Sequence, residues 1–218
     1  MFTLFSFYRS KEGESLRDQL KLERMNDCGE IICGHCGKPI LKKYDCICNH
    51  KTFLTEQNVN DWDISLNPDN IELVHHKCHN EIHNRFGIFN RHIYIVYGSP
   101  CSGKTKFVND NATKDDLIID IDKIFDAINT SKSNRLYNNV MMVYRDLIDM
   151  VRTRNGKWVN AWIVRGFPSK AERERAANDL DGELIYIDTP KEICLERSQL
   201  KGDKYYEIVE DWWRKYRE

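Results

Sequence analysis

The chain has 218 residues and a mass of 25.8 kDa; 31% of its residues are charged and 41% hydrophobic, with 33 basic against 34 acidic side chains. That length suits one large domain or two small ones, and the composition is that of a globular protein. So even a charge balance excludes a nucleic-acid partner held by a bulk basic field, but not one held by a local patch.

No apolar run approaches the roughly 18 to 20 residues that span a bilayer. Met1 to Arg9 carry apolar side chains without a charged n-region before them or a small-residue cleavage site after them, so neither a secretory route nor a membrane partner is expected. Six of the eight cysteines (Cys28, Cys33, Cys36, Cys46, Cys48, Cys78) and six of the seven histidines (His35, His50, His75, His76, His79, His83) lie between residues 28 and 83. Clustered Cys with interleaved His, and no export signal, argues for metal rather than disulfides. The rest of the chain is poor in both, so two domains are expected, 1–90 and 91–218.

In chain order, residues 11 to 26 are rich in helix formers, with Leu16, Leu20 and Met25 as an apolar stripe. Next comes Cys33-Gly-His-Cys36-Gly-Lys-Pro, a C-x-x-C on a glycine-bearing turn, whose two thiolates can reach one tetrahedral ion. A redox role would need a thioredoxin-like βαβ context, which this segment lacks. His75-His-Lys-Cys78 supplies a second half-site, so Cys33, Cys36, His75 and Cys78 form a candidate structural zinc site. Spare thiols at Cys28, Cys46 and Cys48 leave the ligand set open. Tyr44 to Cys48 reads as a strand leading into Asn49-His50, and Asn67-Pro-Asp-Asn70 as a loop. In His79-Asn-Glu-Ile-His83 two imidazoles at i and i+4 share one helix face and can bind one divalent ion.

These elements resemble the HNH (ββα-metal) nuclease family over roughly residues 5 to 88. The resemblance rests on Cys33-Gly-His-Cys36-Gly-Lys-Pro-Ile, Asn49-His50, Asn70-Ile-Glu-Leu and Lys77-Cys78-His79-Asn-Glu-Ile-His83, in the family's order and spacing. It implies His50 as general base, with a catalytic Mg²⁺ or other divalent ion held by Asn49, His79 and His83, and Asn70 orienting the base or approaching the metal. DNA is the implied partner, with other nucleic acid as the alternative. Asn49 stands where the family usually has Asp or His, a neutral and weaker ligand, and His75 stands where many zinc knuckles have Cys. Residues 1 to 90 carry 11 Lys and Arg against 13 Asp and Glu, a net of −2. Lys38, Lys42, Lys43 and Lys51 form one local basic group where phosphates are expected to lie.

Asn84 to His92 is a polar, glycine-bearing stretch, and the boundary is expected near residue 90. Ile93-Tyr-Ile-Val-Tyr97 then reads as a buried parallel strand. It runs into Gly98-Ser99-Pro100-Cys101-Ser102-Gly103-Lys104-Thr105, the full G-x-x-x-x-G-K-T pattern between strand and helix. In that pattern backbone N–H groups and a helix N-terminus cradle phosphates, Lys104 neutralises β/γ oxygens and Thr105 ligates Mg²⁺. Strands are expected over 117–122, 158–164 and 183–187, and helices over 123–128, 136–152, 170–180 and 191–199. That alternation argues for a parallel sheet flanked by helices.

This half resembles the P-loop kinases, adenylate kinase-like and polynucleotide kinase-like, over about residues 92 to 200. The resemblance implies ATP with Mg²⁺, Asp122 as the base that takes the acceptor hydroxyl's proton, and Arg197, with Lys201 and Lys204 beyond it, as lid cations. In Arg165-Gly-Phe-Pro168, Arg165 replaces an aspartate of the adenylate kinases. Trp212-Trp213-Arg-Lys-Tyr216 reads as packing of a terminal helix.

The expected fold is thus an α+β zinc-knuckle ββα-metal domain followed by an α/β P-loop domain with a parallel sheet. The expected activity is metal-dependent DNA cleavage joined to ATP binding and phosphotransfer. The alternative is a nucleotide or polynucleotide 5′-hydroxyl kinase whose zinc domain only binds nucleic acid; a third is a non-catalytic nucleotide switch. The combination resembles phage-encoded HNH proteins with a kinase-like tail, which implies the cytoplasm of a bacterial host.

Overall fold

Antiparallel hairpins built around cysteine and histidine open the chain, and a parallel sheet closes it. The computed structural model describes residues 1–87, 91–128 and 134–217. The chain divides into two units, Met1–Arg85 and Phe86–Glu218. Residues 88–90, where the boundary is expected, lie outside the described residues.

In the first unit a short helix α1 (Leu4–Phe7) precedes α2 (Lys11–Glu23). Ser10 caps α2, its side chain accepting the Gly13 N–H at 3.1 Å. The helix ends three residues before the expected limit, and Met25 lies beyond it, exposed and bridged to Ile31. The cause is Arg24: its guanidinium donates to the carbonyls of Ile71 and Pro68, both at 2.6 Å, and ties the helix end to a distant turn. Of the expected stripe, Leu20 is buried and Leu16 half-buried.

Strands β1 (Ile31–Ile32) and β2 (Pro39–Ile40) pair antiparallel around the C-x-x-C turn. Strands β3 (Cys46–His50) and β4 (Ile71–His75) also pair antiparallel, with Cys46 opposite His75 and His50 opposite Ile71. Helix α3 (Trp62–Ser65) lies in the long connection between them, and α4 (His76–Ile82) follows β4 directly. The strand expected over 44–48 begins two residues later, because Lys43–Asp45 form a 3₁₀ turn, and so it includes Asn49 and His50. Beneath the hairpins Ile31, Ile40, Leu73 and Val74 pack with Cys33, Cys46 and Cys78. A core in which three of seven buried members are cysteines buries little hydrocarbon, which is where a metal contributes most to folding.

The second unit runs β5 (His92–Tyr97), α5 (Lys104–Asn111), β6 (Leu117–Asp120), α6 (Ile121–Ile128), α7 (Tyr137–Arg152), β7 (Asn160–Arg165), α8 (Lys170–Leu180), β8 (Glu183–Tyr186), α9 (Lys191–Gln199) and α10 (Asp203–Lys215). The sheet is all parallel in the order β6-β7-β5-β8. Both faces are covered, as the apolar strands require. Ile93, Ile95, Ile119, Ala161 and Ile163 face the core shared with α6, α7 and α8, whereas Val96, Trp162 and Val164 face Val108 of α5. Strand β6 stops at Asp120, two residues short of the expected end, because the Asp120 carboxylate accepts the Asp122 N–H at 3.0 Å and starts α6 there. Asp122 therefore sits in the first turn of a helix. In α10, Trp212 is buried, donates its indole N–H to the Gly166 carbonyl at 3.0 Å and stacks on Tyr216, which is packing.

Candidate functional site

The C-x-x-C turn is a knuckle. Gly37 has φ 70°, its N–H donates to the Cys33 carbonyl at 2.9 Å, and the Cys33 N–H donates to the Lys38 carbonyl at 3.0 Å. Pairing of β3 with β4 then brings His75, at the end of β4, and Cys78, in the first turn of α4, to the same point. One ligand atom from each of Cys33, Cys36, His75 and Cys78 lies within 4.8 Å of the others. His75 Nδ1 is 3.4 Å from Cys36 Sγ and 4.0 Å from Cys78 Sγ. Its Nε2 is 3.2 Å from the Pro39 carbonyl, which can only accept, so the proton sits on Nε2 and the Nδ1 lone pair faces the thiols.

Burial, then the neighbouring Cys33 and Cys36, pushes the Cys78 thiol up. Against the cost of burial, the N–H groups of Cys36, His75 and His35 hold the Cys33 thiol below its ordinary value. Three thiolates so close repel one another unless a cation sits among them, and a Cys₃His set is compatible with structural zinc. Cys28, Cys46 and Cys48 fall outside this group. Cys28 is exposed, and burial pushes the Cys46 thiol up to about 11.

The second constellation gathers at the end of β3. His50 is buried, with Nε2 3.0 Å from the Ser65 carbonyl. The carbonyl accepts, so Nε2 carries the proton and Nδ1 keeps its lone pair. Burial holds the His50 pKa below the ordinary 6.5, although the Ser65 carbonyl pulls it up. Asn49 is buried, and its Oδ1 stands 3.0 Å from His83 Nε2. The rings of His79 and His83 are 4.5 Å apart, and Phe53 lies over His83 at 4.3 Å. Burial, followed by His83, Arg85 and His76, pushes His79 down to about 4; burial and Arg85 lower His83 as well.

Asn70 touches none of these rings in the hydrogen bonds observed. Its Oδ1 accepts the Thr52 N–H and its Nδ2 donates to the Ile64 carbonyl, each at 2.8 Å. It thereby clamps both ends of the loop that brings the Ser65 carbonyl to His50. Sequence reasoning missed Ser65, because a backbone carbonyl leaves no mark in side-chain type.

His50, His79 and His83 line one cleft of about 840 Å³. A protein described as a probable HNH endonuclease, of Lactococcus phage SK1, is 39% identical to this chain over 75 residues, which cover 34% of this chain and 72% of that protein. The chain belongs to the HNH endonuclease family. No family model matches it. Of the expected basic group of this HNH protein, Lys43 lines the cleft, Lys51 donates to the Asp69 carbonyl at 3.0 Å, and Lys38, Lys42 and Lys51 do not line it.

In the second unit the loop after β5 closes on itself. Gly98 has φ 148°, and a Cβ there would stand 2.9 Å from the Ile187 carbonyl oxygen; Gly103 has φ 98°. Both positions need glycine. Pro100 and Cys101, the latter with φ 64°, form the tip. Lys104 Nζ donates to the carbonyls of Gly98 and Ser99 at 3.0 and 2.7 Å, and burial lowers its pKa to about 8. Thr105 Oγ1 donates to Asp120 Oδ2 at 2.9 Å, and Arg197 donates to the Cys101 carbonyl at 3.2 Å. A cleft of about 500 Å³ at the carboxyl ends of the strands is lined by Lys104, Thr105, Asp120, Asp122, Arg165 and Arg197, among others. Asp120 closes the strand that follows the glycine loop; sequence reasoning gave it no role of its own, and the structure sets its carboxylate against Thr105.

Proposed function

We propose that the chain is a divalent-metal-dependent HNH endonuclease that cleaves DNA phosphodiester bonds, joined to a P-loop unit that binds ATP. The observation that carries the first part is the grouping of His50, His79 and His83 on one cleft, with Asn49 bonded to His83, in a chain of this family. His50 donates through Nε2 to Ser65, so its Nδ1 lone pair is the group that takes a proton from the attacking water. Burial disfavours the charged form of that imidazole. Asn70 acts at one remove, by holding the loop that carries Ser65.

Asn49 Oδ1, His79 and His83 are the groups that would hold the ion. Asn49 Oδ1 stands 3.0 Å from His83 Nε2, so an amide oxygen and an imidazole nitrogen already meet at one point. Such an ion would stabilise the charge growing on the scissile phosphate. Cys33, Cys36, His75 and Cys78 would hold structural zinc that fixes β4 to α4. The test is nicking of supercoiled plasmid with Mg²⁺ or Mn²⁺ by wild type and His50→Ala. The reading expects nicking that disappears in the variant; no cutting by wild type with either ion would overturn it.

For the second unit the reading is ATP–Mg²⁺ binding and transfer of the γ-phosphate. It is supported by the glycine-dependent loop from Gly98 to Thr105 and by the buried Ser102 hydroxyl, which has no hydrogen-bond partner inside it. Thr105 and Asp120 would share the Mg²⁺, Lys104 and Arg197 would neutralise phosphate oxygens, and Asp122 would take the acceptor's proton. End-labelling of 5′-hydroxyl oligonucleotides against nucleoside monophosphates names the acceptor, and no transfer to either defeats the kinase part.

The neutral Asn49 amide favours one second reading, in which catalysis resides in the P-loop unit alone and the zinc unit only binds nucleic acid. Its mark would be loss of all activity in Lys104→Ala and none in His50→Ala.

A further inference from the structure

The first unit is acidic overall, with 11 basic against 13 acidic side chains through residue 90, yet its charges are sorted. Arg17, Lys21, Lys43 and Arg85 line the 840 Å³ cleft that holds His50, His79 and His83, and among the described residues no Asp or Glu lines it. Arg17 and Lys21 stand at i and i+4 on α2, so they share one helix face, and both line the cleft together with Cys46, Ile47 and Cys48 of β3. Lys43 and the exposed ring of Tyr44 lie where the chain enters β3, and Arg85 lies just beyond His83. Strand β3 therefore forms the floor of a channel, with cations at its entrance, along one wall and beside the histidines. Among the described residues neither Lys21 nor Lys43 is engaged in a salt bridge. Five residues of β3 span about 13 Å, the axial length of about four base pairs.

We infer that α2 and the entrance to β3 form a cradle for the DNA backbone, in which Lys21 and Lys43 contact phosphates of the strand that His50 acts on. The choice of DNA as occupant rests on the nuclease reading. The cradle explains how a unit with a net charge of −2 holds a polyanion: the field that matters is local to the cleft. It also moves the contact surface away from Lys38, Lys42 and Lys51, since only Lys43 of that sequence cluster faces the cleft. Arg17 is left out of the test because its guanidinium also donates to the Tyr8 carbonyl at 2.9 Å, so its loss would disturb packing as well as charge.

The experiment uses the full chain. Binding of a fluorescent mixed-sequence duplex is measured by anisotropy over a salt series in a His50→Ala background, and KM and kcat for nicking are measured with His50 present. In Lys21→Gln/Lys43→Gln the slope of log affinity against log salt should become shallower by about 0.9 for each charge removed, and KM should rise roughly tenfold with kcat nearly unchanged. Lys38→Gln/Lys51→Gln should leave slope and KM where they are. An unchanged slope in the first pair, or an equal loss in the second, overturns the cradle. A wild type that nicks DNA while Lys21→Gln/Lys43→Gln keeps its KM defeats the cradle and leaves the nuclease standing. A wild type that binds duplex through these lysines but never nicks does the reverse.

Discussion

In the proposed nuclease, single side chains carry the chemistry of the cleft, and the most is asked of His50, the proposed general base. Replacing it with Ala should lower the nicking rate by about 10² to 10⁴-fold, the usual contribution of a general base, as measured on supercoiled plasmid. Because burial holds its pKa below 6.5, the rate should be flat around neutrality and fall only at pH values below 6.5. Stability should follow the same direction. His50, His79 and His83 all have pKa values lowered by burial, so the folded state disfavours their charged forms. Their contribution is complete above about 6.5, where the unfolded imidazoles are also neutral, and is lost as pH falls towards about 4, the value for His79. Acid titration followed by circular dichroism checks it. Asn49→Asp places a charged oxygen against His83 Nε2, where a neutral amide now sits. The metal concentration for half-maximal nicking should drop roughly tenfold, since affinity for hard cations follows ligand charge. An unchanged requirement would take Asn49 out of the ligand set.

At the scale of elements, the knuckle, the β3–β4 hairpin and α4 form one object whose parts meet at the four candidate zinc ligands. The hydrocarbon beneath it is scarce, because three of the seven buried members of that cluster are thiols. Cys36→Ser, or a strong chelator, should therefore abolish the thermal transition of this unit rather than shift it by a few degrees. Structural zinc supplies about 10 to 16 kcal/mol in small zinc domains, more than the margin by which most domains are stable. One zinc per chain by elemental analysis, lost in that variant, is the accompanying measurement. Cys46→Ser and Cys28→Ser should keep the zinc. The first swaps a buried thiol outside the ligand group, and the second an exposed one.

At the scale of the whole molecule, the second unit makes its own prediction, centred on Lys104. Burial lowers its pKa to about 8, so below pH 8 the free protein presents an ammonium to a phosphate and above it an amine. ATP affinity should weaken as pH rises through 8, and binding above that value should take up a proton; calorimetry in buffers of different ionisation enthalpy reads both. Lys104→Ala should lower ATP affinity and remove the pH dependence together. In the same unit the two apolar faces of β5 and β7, read from their sequence, match the two cores of the sheet, so the element order was legible without coordinates.

By itself the sequence determined what local rules reach: the helices at 170–180 and 191–199, the strand before the glycine loop, the i,i+4 histidines, and the two half-sites whose spacing named Cys33, Cys36, His75 and Cys78. It left Cys28, Cys46 and Cys48 as competitors, because spacing says which thiols can turn towards one another and not which strand register joins distant segments. In the structure, pairing of Cys46 with His75 lines β4 up with the knuckle and leaves Cys46 in the core, outside the group that could hold a metal. The same limit explains Ser65 and Asp120, whose contributions are a carbonyl delivered by a clamped loop and a carboxylate held against Thr105 across 15 positions of chain. The cationic cleft belongs there too. Arg17, Lys21, Lys43 and Arg85 are scattered through an acidic sequence, and only the tertiary fold gathers them on one cleft, since charge is distributed along a chain but a field is summed in space.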